Sequence, residues 1–240
     1  MRAAPDGYTF LVGVTQNFTI LPNIRKVPYD IDSFDIIAGI ADYAAIITVK
    51  KELGVRTLNN LIRYARNNPG KLTWGSTGIG SASHVNGEQM KKHAEIDMLH
   101  VPYKSAADAV TGFLSGEIDI LIDAAGIPLI DSGRAIGLAN FANRRHPEVP
   151  NIPAITEFKE FKVGLPNNAW HVMAPLGTPV EILSVMSEFI EKSVNDKDTS
   201  DKLLKAGGFP KYTPGPELKQ TMIQSRSYFK SILSSITIQN

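Results

Sequence analysis

From Lys71 to His84 the chain reads Lys-Leu-Thr-Trp-Gly-Ser-Thr-Gly-Ile-Gly-Ser-Ala-Ser-His, a β-like run that breaks into a glycine turn and then into a helix start. A strand that feeds a helix through so short a turn belongs to α/β layering. Glycines at 75, 78 and 80 let the backbone turn tightly and approach a ligand, and Ser76, Thr77, Ser81 and Ser83 set hydroxyls beside the free N–H groups of a helix N-terminus. That combination suits an anion, a carboxylate above all. No Lys follows the glycines as in a nucleotide P-loop, and Gly75-x-x-Gly78-x-Gly80 is not the dinucleotide spacing, which argues against nucleoside triphosphates and NAD. A purely structural turn is the competing reading of the same residues.

The 240 residues are 43% hydrophobic and 20% charged, enough for a sizeable core in one large domain or two small ones. With a net charge of +1 and basic residues scattered apart from pairs such as Lys50-Lys51 and Arg144-Arg145, nucleic acid is not an expected partner. The absence of cysteine removes disulfides, thiol catalysis and Cys-type zinc sites, and leaves the compartment open. No apolar run approaches the roughly 20 residues of a membrane span, so no membrane insertion is expected. Met1 to Gly7 carries no apolar export-signal core. Histidines at 84, 93, 100, 146 and 171 lack close metal-ligand spacing, and there is no Gly-x-Ser-x-Gly elbow; neither a metal nor a cofactor is expected.

β-branched and aromatic runs predict strands near Tyr8 to Val14, Ile36 to Ile40, Ala45 to Val49, Leu72 to Gly75, Met98 to Val101, Ile118 to Ile122, Ala135 to Phe141 and Ala169 to Ala174. Helices fall between many of them. Thr57 caps one that buries Leu58, Leu61, Ile62 and Ala65, and Ala106, Ala109, Val110, Phe113 and Leu114 mark another, stopped near Gly116. Thr178-Pro179-Val180-Glu181 reads as a helix start with a cap hydroxyl, the buried face being Ile182, Val185, Met186, Phe189 and Ile190. Further helices are expected from about Thr199 to Ala206 and from about Glu217 to Leu233. The alternation predicts largely parallel sheets with ligands at the carboxyl ends of strands.

Several phrases carry a family resemblance. They are Ala4-Pro5-Asp6-Gly7-Tyr8-Thr9-Phe10-Leu11, Tyr29-Asp30 through Ile37-Ala38, and Asn68-Pro69-Gly70-Lys71-Leu72-Thr73 running into the glycine turn. His100-Val101-Pro102-Tyr103-Lys104, Gly116-Glu117-Ile118-Asp119, Arg144 to Pro153, and Trp170 leading to Ala174-Pro175-Leu176-Gly177-Thr178-Pro179 follow in order. Together they resemble the Bug family of solute-binding receptors of tripartite tricarboxylate transporters. The resemblance implies an α/β, type II periplasmic-binding-protein-like fold: two lobes, a hinge and an interlobe cleft that closes on a small organic carboxylate. Such a receptor binds without catalysis, works in the periplasm and presents its ligand to membrane permease subunits. One lobe would take residues 1–46 and 173–240, the other 47–172. The family pattern places an exported leader and a first strand-helix portion with a Gly-rich loop before Asp6-Gly7-Tyr8-Thr9, so part of the first lobe is expected to lie outside this sequence. Two other classes compete: a cytosolic ligand-sensing domain of a transcription regulator, which shares the two-lobed fold, and a Ser/His hydrolase using Ser76 or Ser81 with His84.

Candidate ligand-binding residues are Ser76, Thr77, Gly80 and Ser81 in the cradle and Thr15, Gln16 and Asn17 after the first strand, the latter three reading equally as a polar loop. His84, one turn into the cradle helix, either donates to an acid or caps local carbonyls. Tyr103 and Lys104 end one strand and Asp123 ends another, where ligand contact, solvation and turn formation are alternatives. Trp170 reads as a core residue or a cleft wall.

Overall fold

The computed structural model describes residues 3–161 and 168–233. In chain order the elements are β1 (Leu11–Val14), α1 (Gln16–Thr19), α2 (Leu21–Ile24), β2 (Phe34–Tyr43), β3 (Ile46–Lys50), α3 (Leu58–Asn67), β4 (Thr73–Ser76), α4 (Ala82–Ala94) and β5 (Leu99–Pro102). They continue as α5 (Ala106–Ser115), β6 (Ile120–Asp123), α6 (Ile127–Asp131), β7 (Ala135–Asn140), β8 (Asn168–Pro175), α7 (Val180–Asn195), α8 (Lys197–Lys205), β9 (Gly208–Pro214) and α9 (Gly215–Leu233). The chain divides into two compact units, Met1–Tyr43 with Pro166–Asn240, and Ala44–Leu165. The sequence-based boundary at 172/173 falls inside β8, whose ladders to β1 and β2 tie residues 168–172 to the first unit. Residues 1, 2 and 234–240 of the expected first lobe lie outside the described residues.

The first unit is built on a sheet of order β1-β8-β2-β9 in which every pairing is antiparallel. This corrects the expectation of largely parallel sheets: β2 and β8 come from opposite ends of the chain and no crossover helix joins them, so nothing obliges them to run the same way. One face packs Phe18, Ala169, Met173, Leu218 and Met222 together; the other packs Val172 and Ala174 with Ile190 and Val194 of α7. β9 lies outside the strands expected from sequence. Its Pro210 and Pro214 argue against a central strand, but β9 is an edge, where a missing N–H is tolerated.

α7 begins differently from expectation. Pro179 is its N-cap residue and makes no side-chain cap bond, while the Thr178 hydroxyl donates to the Pro175 carbonyl at 2.7 Å. Asp35 Oδ2 accepts the Gly177 and Thr178 amides at 2.8 and 3.1 Å and fixes this entry to β2. Of the expected buried face, Ile190 is buried but Val185 and Phe189 stand 54% and 60% exposed, because the helix rolls toward Leu183, Met186, Ile190 and Val194.

The second unit holds a mixed sheet of order β5-β4-β6-β3-β7. Its β5-β4-β6 half is parallel, as two successive strand-helix-strand crossovers require, and β3 runs antiparallel to both neighbours. Trp74 faces α4 and Gly75 faces α5, so these two helices cover opposite sides of β4. α3 forms as expected: Thr57 Oγ1 accepts the Asn60 amide at 3.2 Å, and Leu58, Leu61, Ile62 and Ala65 are buried. Each of the three larger side chains contributes about 2 kcal/mol of burial.

Candidate ligand-binding site

In the order β5-β4-β6 the chain leaves β4 for one neighbour and then returns past β4 to the other, so the sheet has its switch point between β4 and β6. Ligands of α/β sheets sit outside the carboxyl ends of strands at such a point. Gly75 pairs with Leu121, which puts Thr77 and Asp123 at the same end of adjacent strands. The glycine turn therefore lies where this topology places ligands.

Gly78 and Gly80 have φ of +114° and +81°, a region that side chains disfavour, and they bend the loop from β4 onto the start of α4. Ser81 is the N-cap of α4, its Oγ accepting the His84 amide at 3.2 Å. Ser83 Oγ accepts the Thr77 amide at 2.9 Å and lies 3.1 Å from Thr77 Oγ1 and 3.0 Å from Ser81 Oγ. Helix geometry leaves the first amides of α4, those of Ala82 and Ser83, without carbonyl partners inside the helix. Partial positive charge thus gathers at a lip where Thr77, Ser81 and Ala82 are half-buried.

Ser76 is enclosed rather than displayed. Its side chain is fully buried, and its hydroxyl oxygen accepts the Gly78 amide at 3.2 Å and lies 2.7 Å from His100 Nε2. His84 Nδ1 accepts the Gly80 amide at 3.1 Å, which leaves the ring proton on Nε2. The two imidazoles stack with centroids 4.4 Å apart, and His100 also stacks on Trp74 at 4.3 Å. Burial, then the charge of Lys91, pushes His84 down to about 4. Burial, then His84 and Lys91, pushes His100 down to about 3. Both rings are neutral at pH 7, so the loop offers dipoles and hydroxyls and no fixed counter-charge.

The other candidates are placed as follows. Tyr103 is turned away: its ring covers Gly75 and reaches Gly112 of α5, on the side of the sheet opposite α4, and burial pushes its phenol up to about 12. Lys104 is exposed. Asp123 is buried at the end of β6, where its Oδ1 accepts the Ala125 amide at 3.0 Å and shapes the turn. Thr15, Gln16 and Asn17 belong to the first unit. Thr15 is buried, its Oγ1 accepting the Ala169 amide at 3.0 Å; Asn17 is exposed, and its carbonyl accepts the Tyr29 hydroxyl at 3.2 Å. Trp170 lies over Gly208 with its ring 6.2 Å from Tyr43. Ser81 and His84 meet only through the His84 backbone amide, so they form no nucleophile-base pair. Among the described residues no group of three or more His, Asp or Glu side chains is arranged to hold a metal ion.

His100 escaped the sequence reading. The parallel register that pairs Trp74 with His100 brings it beside Ser76; the crossover from β4 to β5 signals parallel strands but not this register.

Two α/β units, formed as the chain leaves the first, completes the second and returns, define the fold of the periplasmic binding proteins. Periplasmic binding protein BugD has this fold, with a TM-score of 0.83 at 22% identity over 97% of this chain and 79% of that one. The structure of R. palustris Rpa4515 with adipate matches with a TM-score of 0.85 at 25% identity, covering 97% of this chain and 79% of that one. A UPF0065 protein of Bordetella pertussis is 30% identical over 233 residues, 94% of this chain and 70% of that protein. The chain belongs to the tripartite tricarboxylate transporter family receptors (TctC), the match running over residues 1–236. The family is one of receptors and not of enzymes.

Proposed function

We propose that this receptor takes a small organic carboxylate at the lip of the Ser76–Ser83 loop, in the periplasm, and passes it to the membrane permease subunits of its transporter. The observation that carries the reading is an uncharged array of amides and hydroxyls at the switch point of a parallel half-sheet. Thr77 and Ser81 supply hydroxyls, Gly80 lets the backbone approach, and the Ala82 and Ser83 amides complete the anion contacts. Ser76 and His84 act from behind the lip, holding the loop; Asp123 shapes the adjacent turn. Thr15 and Asn17, after β1, are proposed ligand contacts of the first unit. Tyr103 contributes through its backbone, its amide donating to the Ser76 carbonyl at 2.9 Å. The adipate held by the R. palustris neighbour supports a carboxylate class. Among the described residues no helix is long and apolar enough to cross a membrane.

Isothermal titration with adipate, other di- and tricarboxylates, acidic amino acids and aromatic acids tests the reading. Thr77→Ala and Ser81→Ala are expected to weaken the best ligand about fivefold to tenfold each while leaving the circular dichroism spectrum unchanged. Unaltered affinity in both variants refutes the placement of the site.

A further inference from the structure

The loop that bends into α4 is held from behind by two rings, and each ring holds a different glycine. His84 Nδ1 takes the Gly80 amide directly at 3.1 Å. His100 Nε2 lies 2.7 Å from Ser76 Oγ, which in turn takes the Gly78 amide at 3.2 Å. Ser76 Oγ has one proton and two acceptors within reach, His100 Nε2 at 2.7 Å and the Gly78 carbonyl at 3.3 Å, and the shorter contact is the better placed to take it. Both imidazoles then serve as acceptors, with their protons on the opposite nitrogens, Nε2 in His84 and Nδ1 in His100.

We infer that His84 and His100 are positioning residues that act as a stacked pair of neutral acceptors, fixing Gly78 and Gly80 in the conformation that turns the lip amides and hydroxyls toward a carboxylate. The inference rests on the carboxylate reading of the same loop. Face-to-face stacking at 4.4 Å, with Trp74 on His100 at 4.3 Å, locks both ring planes, so each lone pair is aimed before a ligand arrives. Both glycines occupy positive φ, and the two bonds, with the Ser81 amide on the Gly78 carbonyl at 3.1 Å, hold them there. Lys91, paired with Glu88 at 3.2 Å, adds its charge to the bias against a charged ring. Aromatic rings alone do not do this work; acceptors at these two atoms do.

Long-range proton–nitrogen NMR spectra of the ligand-free wild-type chain at pH 7 test the proton placement directly. The expected result is a neutral Nε2–H form for His84 and a neutral Nδ1–H form for His100; the opposite form at either ring overturns the inference. Substitution separates acceptor from ring. His84→Phe and His100→Phe keep the stack and lose the acceptor, and are expected to speed amide hydrogen exchange at Gly80 and Gly78, respectively, about fivefold to tenfold. His84→Asn and His100→Gln carry a carbonyl oxygen near the lost nitrogen and are expected to restore exchange to within about twofold of wild type. Affinity for adipate follows the same order. Equal losses in the Phe and amide variants mean that the rings merely fill space, which overturns the inference. Tautomers and exchange are read without ligand, so a wild-type chain that binds no carboxylate refutes the proposed function and leaves these two measurements decisive.

Discussion

The indole of Trp74 lies against Gly87 so closely that a Cβ on Gly87 would stand 2.2 Å from Trp74 Cζ3 and 2.3 Å from Cη2. This contact sets how near α4 approaches β4, and with it the position of the loop at the helix start. Trp74 is fully buried and stacked on His100, so it has nowhere to retreat. Gly87→Ala gains up to about 1 kcal/mol of helix propensity but overpacks by about 1–3 kcal/mol. The expected outcome in urea unfolding is a net loss of about 1–2 kcal/mol, and a gain in stability would contradict the contact.

His171 is fully buried in β8, its ring 5.7 Å from that of Phe18. Burial, partly offset by a backbone contact with Ala169, pushes it down to about 4. The unfolded chain therefore binds a proton near pH 6.5 that the folded chain refuses until about pH 4. Stability carried by this group is complete above pH 6.5 and is lost as pH falls through that window, on the order of 3 kcal/mol in all. Thermal unfolding of wild type and His171→Leu at pH 7, 5.5 and 4.5 checks the sign: the variant is expected to show the flatter profile.

Ligand affinity is expected to stay within about twofold between pH 5.5 and 8, since His84 and His100 titrate well below that range. Titration calorimetry with adipate across the range measures it. A sigmoidal change centred near pH 6.5 would show that a normal histidine faces the ligand.

Arg145 grips Glu157 by two parallel bonds, Nε to Oε1 at 2.8 Å and Nη2 to Oε2 at 2.7 Å, while Glu157 Oε1 also accepts the Ala154 amide. The guanidinium, with that amide, holds the Glu157 carboxyl down to about 2, so the clamp is complete above the ordinary carboxylate range and opens as pH falls toward 2. Both side chains are largely exposed, which keeps the effect local. Arg145→Lys cannot form the fork and is expected to raise amide exchange around Ala154 at pH 7 while moving the global melting temperature by less than about 3 °C. A large global shift would show that the clamp supports the whole unit.

Much of the second unit was legible because its strands, helices and turns alternate locally: Thr57 caps α3, Gly116 ends α5, and the glycine turn joins β4 to α4. The first unit was harder. Its central ladder joins β2 to β8 across a long stretch of chain, and no local pattern encodes that pairing or its direction. Tyr103 is a candidate because it ends a strand, but strand position does not tell which helix meets its face, and its ring turns to α5. Ser76 lies deeper than a hydroxyl in a glycine turn suggests, because the neighbouring strand brings His100 against it.

The prolines of β9 have a bearing on how this molecule meets others. Pro210 and Pro214 both stand on this outer strand, and neither has an N–H to give an incoming one. Prolines on an outer strand are one of the devices by which sheets discourage edge-to-edge pairing. The opposite rim, β1, carries Leu11-Val12-Gly13-Val14 with no proline. The two outer strands of this sheet therefore differ in how readily each would accept a further strand, β1 more than β9.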